Sequence, residues 1–256
     1  MRLDKFLVLN NYFSSRTKAA EAIDDNLIVV NGKIAKASLD VNENSNIKII
    51  KKDFNFVSQG GYKLNNALMN FNIKVKDKVF ADIGASTGGF TDCLLQYGAK
   101  RVFCVDVGEN LLDKSLINNN KVVVMDKTNA KTLIKDNFIC KLDGIVIDCS
   151  FISLKSILPV IVNLIDNDGI IIALIKPQFE MKEKLHFKNG IIKDSNIHYS
   201  VCKEIFDFAL DYSLFANDIV NAPIKDNKNR EFLVLFEKKD KQVNIINKLN
   251  DCIKRK

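Results

Sequence analysis

Residues 79–92 read Val79-Phe80-Ala81-Asp82-Ile83-Gly84-Ala85-Ser86-Thr87-Gly88-Gly89-Phe90-Thr91-Asp92. The apolar start predicts a strand over 79–83. The glycines and small residues predict a tight turn, with a helix from Phe90. Such a corner aims backbone N–H groups and the positive end of a helix dipole at a ligand, which favours an anionic group. Side chains on the glycines would keep that ligand off the backbone. Gly84 and Gly89 have the spacing of a phosphate loop, but Phe90 stands where lysine is required, so nucleoside triphosphate hydrolysis is not expected. Ser86 replaces the middle glycine of a dinucleotide fingerprint, which weakens that reading. S-adenosylmethionine remains, with its carboxylate on the turn. The next strand, 101–106, ends in Asp106 about twenty residues beyond Gly84, where an acid can accept bonds from ribose hydroxyls. Taken singly, these are also the marks of an ordinary turn and a solvated strand end; their joint placement points to a nucleotide site.

Working outward, strand and helix patterns alternate. Strands are expected near 79–83, 101–106, 121–125, 143–148 and 169–175, with helices at 90–97 and 154–164. A helix near 196–212, a strand near 217–221 and a last strand over 231–236 complete the pattern. This predicts a doubly wound, Rossmann-like α/β sheet with a final antiparallel strand. Expected boundaries are an amino-terminal αα-β domain over 1–52, a linker over 53–58, the main domain over 59–238 and a tail over 239–256. The tail has helical character and no functional reading. The polar segment 182–189 reads as a mobile loop that closes over RNA or is simply solvated.

A net charge of +7 favours an anionic partner, RNA or a membrane surface. Six cysteines without a C-x-x-C pair, beside only two histidines, predict reduced core thiols and no metal site. The start, 1–9, imitates a signal peptide faintly, but Asp4 and Lys5 interrupt it and no cleavage site follows. The apolar stretch 157–175 is broken at Asn163 and at 166–169, too short and too charged to span a bilayer. A cytoplasmic location without a membrane partner is expected.

In the front segment Leu3, Phe6, Leu7 and Asn10 fall at helical spacing. Ser14 and Ser15 are placed to cap a second helix, 16–25, with Ala19, Ala22 and Ile23 inward. Residues 27–30, Asn31-Gly32 and 33–34 predict a hairpin with a type I′ turn, and 47–50 another strand. Arg2, Lys5, Arg16 and Lys18 can share one face suited to phosphate contacts, although charge alone fits a solvated face equally well. The strings R-L-D-K-x-L from Arg2, S-R-T-K-A from Ser15 and I-V-V-N-G-K from Ile28 resemble the S-four-type RNA-binding domain. That resemblance implies binding of structured RNA by the helix pair.

Four ionisable residues fall at element ends on the ligand side. Lys63 follows Ser58-Gln59-Gly60-Gly61-Tyr62, Asp148 ends a largely apolar strand, Lys176 ends the strand 169–175, and Glu231 opens the last strand. Ligands of open α/β sheets sit beyond the carboxyl ends of the parallel strands, and an antiparallel last strand would bring its first residue to that edge. Any one of the four alone would equally be a wet strand end. The strings S-x-G-G-x-K-L at 58–64, D-I-G-A-S-T-G-G-F-T-D-C-L-L-Q at 82–96, V-D-V-G at 105–108, I-D-C-S-F-I-S-L at 147–154, K-P-Q-F-E at 176–180 and N-R-E-F-L at 229–233 resemble the TlyA family. With the front module, the resemblance covers residues 1 to about 237. It implies an S-adenosylmethionine-dependent 2′-O-methyltransferase of ribosomal RNA, acting on cytidine riboses in ribosomal subunits. It assigns the chemistry to Lys63, Asp148, Lys176 and Glu231. Lys176 is the candidate general base, a role that requires desolvation or a like charge such as Lys63 to favour its neutral form. For the cofactor, Gly84, Ser86 and Gly88 are expected to line the methionine end, Asp106 the ribose and Asp126 the adenine amino group, with Asp82 also in the cofactor-binding set. The chain departs from the family at 109–114, where an aromatic is usual, and at 222–229, which is less Gly/Pro-rich. Rival expectations are a non-catalytic ribosome-binding factor, a small-molecule methyltransferase and a membrane-active hemolysin.

Overall fold

The computed structural model describes residues 1–13, 15–24, 27–36, 38–49, 54–181, 187, 190–223 and 228–254. The readings placed on Ser14, on Lys51-Lys52-Asp53, on most of 182–189 and on 224–227 lie outside the described residues. The chain divides into two units, Met1–Asn55 and Phe56–Lys256. Phe56 is buried in the second unit, its ring edge-on to Tyr62 at 5.0 Å, so residues from 56 onward are structure rather than linker.

The first unit holds α1 (Leu3–Leu9), α2 (Arg16–Asp24), β1 (Ile28–Val30), β2 (Lys33–Ile34) and β3 (Ile47–Ile49), the strands ordered β2-β1-β3 and antiparallel. Leu3 and Leu7, one turn apart on α1, are fully buried with Ala19 and Ile28, joined by Ala22 and Ile23. Ser15 Oγ accepts from Lys18 N at 3.2 Å and caps α2. Asn31 (φ 50°) and Gly32 (φ 82°) are both left-handed, as a type I′ turn demands.

The second unit runs α3 (Gln59–Asn70), β4 (Val79–Ile83), α4 (Gly89–Gln96), β5 (Arg101–Val105), α5 (Lys114–Ile117), β6 (Val122–Met125), β7 (Leu142–Ile147), α6 (Leu158–Ile161), β8 (Ile165–Ile175), α7 (Pro177–Glu180), α8 (Ser195–Leu210), β9 (Phe215–Asn221), β10 (Phe232–Glu237) and α9 (Ile245–Lys254). Its seven strands are ordered β6-β5-β4-β7-β8-β10-β9. β4 to β8 are parallel, while β10 runs antiparallel to both β8 and β9. This is the doubly wound sheet that the alternation predicts, with the antiparallel closing strand expected of it. Strand order reverses between β4 and β7, so the crevice beyond their carboxyl ends is where such sheets bind ligands.

Two elements differ from the expected ones. The helix over 154–164 is instead a 3₁₀ turn, Leu154–Ser156, followed by the short α6, because Pro159 has no N–H to continue the ladder. β8 begins at Ile165 rather than 169. Leu142 pairs with Ile165 and Gly144 with Ile170, so Asp166–Gly169 is accommodated as a bulge instead of ending the strand.

Candidate active site

The expected corner forms after β4. Gly84 and Ala85 donate their N–H groups to Val105 O, at 2.9 and 3.2 Å, which tucks the turn against β5. Gly84 has φ 80°, and a Cβ there would lie 2.8 Å from the backbone oxygen of Asp148. Glycine is therefore demanded twice, by backbone conformation and by the approach of the β7 end. Gly88 is the N-cap of α4 at φ 88°, and Ser86 is left-handed at φ 48°. Asp106 lies one residue past β5 and is held by both oxygens: Ser86 N donates to Oδ2 and Gly108 N to Oδ1, each at 2.8 Å. Each oxygen keeps a further lone pair for a hydroxyl donor.

Asp82 occupies a β4 position that is 0% exposed. Thr91 N and Oγ1 donate to Oδ2 at 3.0 and 2.7 Å, whereas Oδ1 has no hydrogen-bond partner. Burial, reinforced by the charges of Asp148 and Asp106 and opposed by the Thr91 bonds, pushes the carboxyl up to about 7. A buried acceptor without a donor costs stability, and a cation placed there recovers it. Asp82 lines a cavity of about 180 Å³ together with Ser58, Gly84, Asp148, Ser150 and Lys176. A second cavity of about 500 Å³, bounded by Asp106, Val107, Leu111, Asn129, Phe151 and Ile152, meets the first at Gly84, Ser86, Asp148 and Ser150. A small polar chamber joined to a larger apolar one suits a ligand with a zwitterionic end and a flat ring system.

The four candidate catalytic residues form two ion pairs. Lys176 is 7% exposed; its Nζ lies 2.5 Å from Asp148 Oδ1 and donates to Ser150 Oγ at 3.0 Å. The contact with Asp148 is an ion pair without hydrogen-bond geometry. Lys63, in the first turns of α3, sits 2.6 Å from Glu231 Oε2. Phe232 pairs with Ile175 across β10 and β8, so the next position of that register sets Glu231 beside Lys176. The two pairs thus share one edge of the sheet. Lys63 and Glu231 face a third cavity of about 290 Å³, with Tyr62, Gln178, Lys228 and Asn229.

Asp126 Oδ2 accepts from Asn110 N at 2.9 Å, and the residue is not among those lining these three cavities. Asn129 lines the second cavity. Arg2, Lys5, Arg16 and Lys18 are all exposed in the first unit, and Arg2 and Arg16 both reach Asp4. Among the described residues no cluster of His, Cys, Asp and Glu has the makings of a metal site.

Three residues escaped the sequence reading. Ser150 holds Lys176. Phe151 is 89% exposed with φ 63°, its ring 4.9 Å from that of Phe179 at the cavity mouth. A bulky left-handed residue is strained, and an exposed aromatic at a site rim is a stacking surface. Glu180 is buried and anchors this loop, accepting from Ser153 Oγ at 2.5 Å and Leu154 N at 2.9 Å. The only sequence signal was that all three lie within the quoted strings around Asp148 and Lys176.

Comparison with known proteins shows the family. The FtsJ-like methyltransferase family matches residues 56–239, and the S4 domain matches residues 1–47. Hemolysin A of Brachyspira hyodysenteriae is 37% identical over 239 residues, covering 92% of this chain and 99% of that one. The 16S/23S rRNA (cytidine-2′-O)-methyltransferase TlyA of Mycobacterium tuberculosis is 37% identical over 198 residues, 77% of this chain and 74% of its own. The solved structure of a candidate hemolysin from Streptococcus thermophilus superposes with a TM-score of 0.73 at 34% identity, covering 98% of this chain and 95% of the other.

Proposed function

The chain belongs to the FtsJ-like methyltransferase family and carries an S4 domain ahead of the catalytic unit; from that premise we propose that it transfers a methyl group from S-adenosylmethionine to the 2′-oxygen of a cytidine ribose in ribosomal RNA. The large subunit is the first substrate to test and the small subunit the second; the relative from Mycobacterium tuberculosis carries both RNAs in its name. Ribosomal subunits would be met in the cytoplasm. The observation that carries the reading is the Lys176–Asp148 pair, whose buried lysine lines the first cavity and whose aspartate lines both.

Bound S-adenosylmethionine supplies an already activated methyl group. The chain's residues must then align a ribose hydroxyl and take its proton as the new bond forms. Lys176 is the proposed acceptor of that proton, a role for which its ammonium must first release a proton to solvent. Ser150 and Asp148 orient its Nζ, and the Lys63–Glu231 pair beside it holds the ribose. Asp82 with the 84–88 turn would receive the amino-acid end of the cofactor, and Asp106 its ribose.

Two results are expected at the cofactor and the rim. Asp82 is protonated below about 7. An ammonium group pairs with its charged form, so the bound state holds fewer protons than the free one. Affinity for S-adenosylmethionine is therefore expected to rise with pH through that value. Asp82→Asn should bind at least tenfold more weakly, about the worth of a charged hydrogen bond, and lose this pH dependence. Titration calorimetry at several pH values checks both. Phe151→Ala is expected to lower kcat/KM for RNA about tenfold, the worth of one base stacked on an aromatic ring, with cofactor affinity held. Equal loss in both would mean that the ring merely walls the cofactor cavity.

The test of the whole reading is transfer of labelled methyl to unmodified ribosomal subunits. Label in a ribose of one RNA supports it. Tight RNA binding with no transfer to either subunit would leave a ribosome-binding factor. Two of the compared proteins carry a hemolysin name; among the described residues, no helix is long and apolar enough to cross a membrane.

A further inference from the structure

The cationic face of the first unit is built around an acid. Asp4 is 5% exposed, whereas the Arg2 and Arg16 side chains are 59% and 60% exposed. Arg16 Nη2 lies 2.6 Å from Asp4 Oδ2, and Arg2 reaches the same carboxylate with Nε at 3.2 Å from Oδ1 and Nη2 at 3.4 Å from Oδ2. Lys5 N donates to Oδ1 at 3.0 Å, fixing the carboxylate to the first turn of α1. Arg2 precedes α1 and Arg16 opens α2, so one buried side chain gathers two guanidinium groups from the starts of two helices. The Arg16 bond, foremost, holds the Asp4 carboxyl down at about 2, so it is charged wherever the protein works.

Simple attraction between a basic patch and RNA gives no reason for this acid, because it removes positive charge from the patch. Geometry does. A guanidinium has five N–H donors in a planar fork, and a carboxylate that binds part of the fork leaves the rest aimed outward. An exposed arginine otherwise loses rotamer freedom on binding, and one already tethered has less to lose.

We propose that Asp4 is a positioning residue for RNA recognition, holding Arg2 and Arg16 on one carboxylate as a preformed two-arginine clamp for an RNA phosphate. This rests on reading the first unit as RNA-binding. The bland alternative is that Asp4 only favours the positive end of the α1 dipole.

The two accounts predict opposite outcomes for Asp4→Asn, which preserves shape and adds one positive charge. Affinity of the full-length protein is measured over a salt series, for salt-washed ribosomal subunits from cells lacking it. Asp4→Asn is expected to weaken binding about tenfold despite the gained charge. Arg2→Ala/Arg16→Ala should weaken it at least as much and reduce the salt slope by about one to two. Adding Asp4→Asn to that double variant should change nothing further. Unchanged or tighter binding by Asp4→Asn would overturn the clamp while leaving the RNA reading intact. Wild-type affinity in Arg2→Ala/Arg16→Ala would instead remove the RNA face itself. If Asp4→Asn fails to fold, Arg16→Lys keeps the charge without the fork; the clamp requires the same loss of affinity, and unchanged binding refutes it. Affinity for S-adenosylmethionine, held by the other unit, serves as the control throughout.

Discussion

Lys176→Ala is expected to lower the rate of methyl transfer about a thousandfold, within the range a positioned acid or base contributes, while S-adenosylmethionine still binds. The side chain is buried, its Nζ is held between Asp148 and Ser150, which line both cavities, and it lines the first of them beside the Lys63–Glu231 edge. Alanine removes the nitrogen and leaves the Asp148 carboxylate without its cation. Lys176→Arg separates two roles. It keeps the positive charge but cannot give up a proton at usable pH, so proton transfer requires this variant to be nearly as dead as the alanine one. Single-turnover methyl transfer to ribosomal subunits, beside cofactor binding by calorimetry, makes the comparison. If Lys176→Arg retains most of the wild-type rate, the lysine acts by charge and the base must be sought elsewhere.

Gly84→Ala is expected to reduce cofactor affinity at least a hundredfold and to destabilise the second unit. Two costs add. Alanine at φ 80° is left-handed, a cost of about 1–2 kcal/mol. Its Cβ would also lie 2.8 Å from Asp148 O and 3.0 Å from Cys149 Sγ, so the β7 end must move. That movement carries Asp148 away from Lys176 and reshapes the walls common to both cavities. Gly32→Ala is the matching control, because Gly32 has φ 82° with nothing within 4 Å of the added carbon. It should lower stability by about 1 kcal/mol and leave cofactor affinity alone. Thermal unfolding and calorimetry on the two variants isolate the contact from the backbone strain. Equal behaviour of both would mean that the approach of Asp148 has no part in the site.

Much of the site could be read from the linear chain because its signals are local or periodic. The strand, glycine turn and helix at 79–92 follow from neighbouring residues. The alternation of patterns implies the parallel sheet, and an antiparallel last strand, which the structure shows, returns Glu231 to the ligand edge. Pro159 was also a legible sign that 154–164 would not be one helix. The segment 166–169 illustrates the reverse. Its acids and glycine favour a turn locally, yet pairing of Leu142 with Ile165 carries the strand through them as a bulge.

The sequence by itself determined which elements form, in what order, and which ionisable residues stand at their ends, since hydrophobic period, turn chemistry and capping act over a few residues. Only the tertiary structure decided how those charges are spent. The pairing of Lys176 with Asp148 and of Lys63 with Glu231, the unpaired oxygen of Asp82, the exposed ring of Phe151 and the gathering of Arg2 and Arg16 on Asp4 all depend on burial and on contacts between remote segments. Charge interactions are set by distance in space and by exclusion of water, and neither quantity exists until the sheet has closed and the helices have packed.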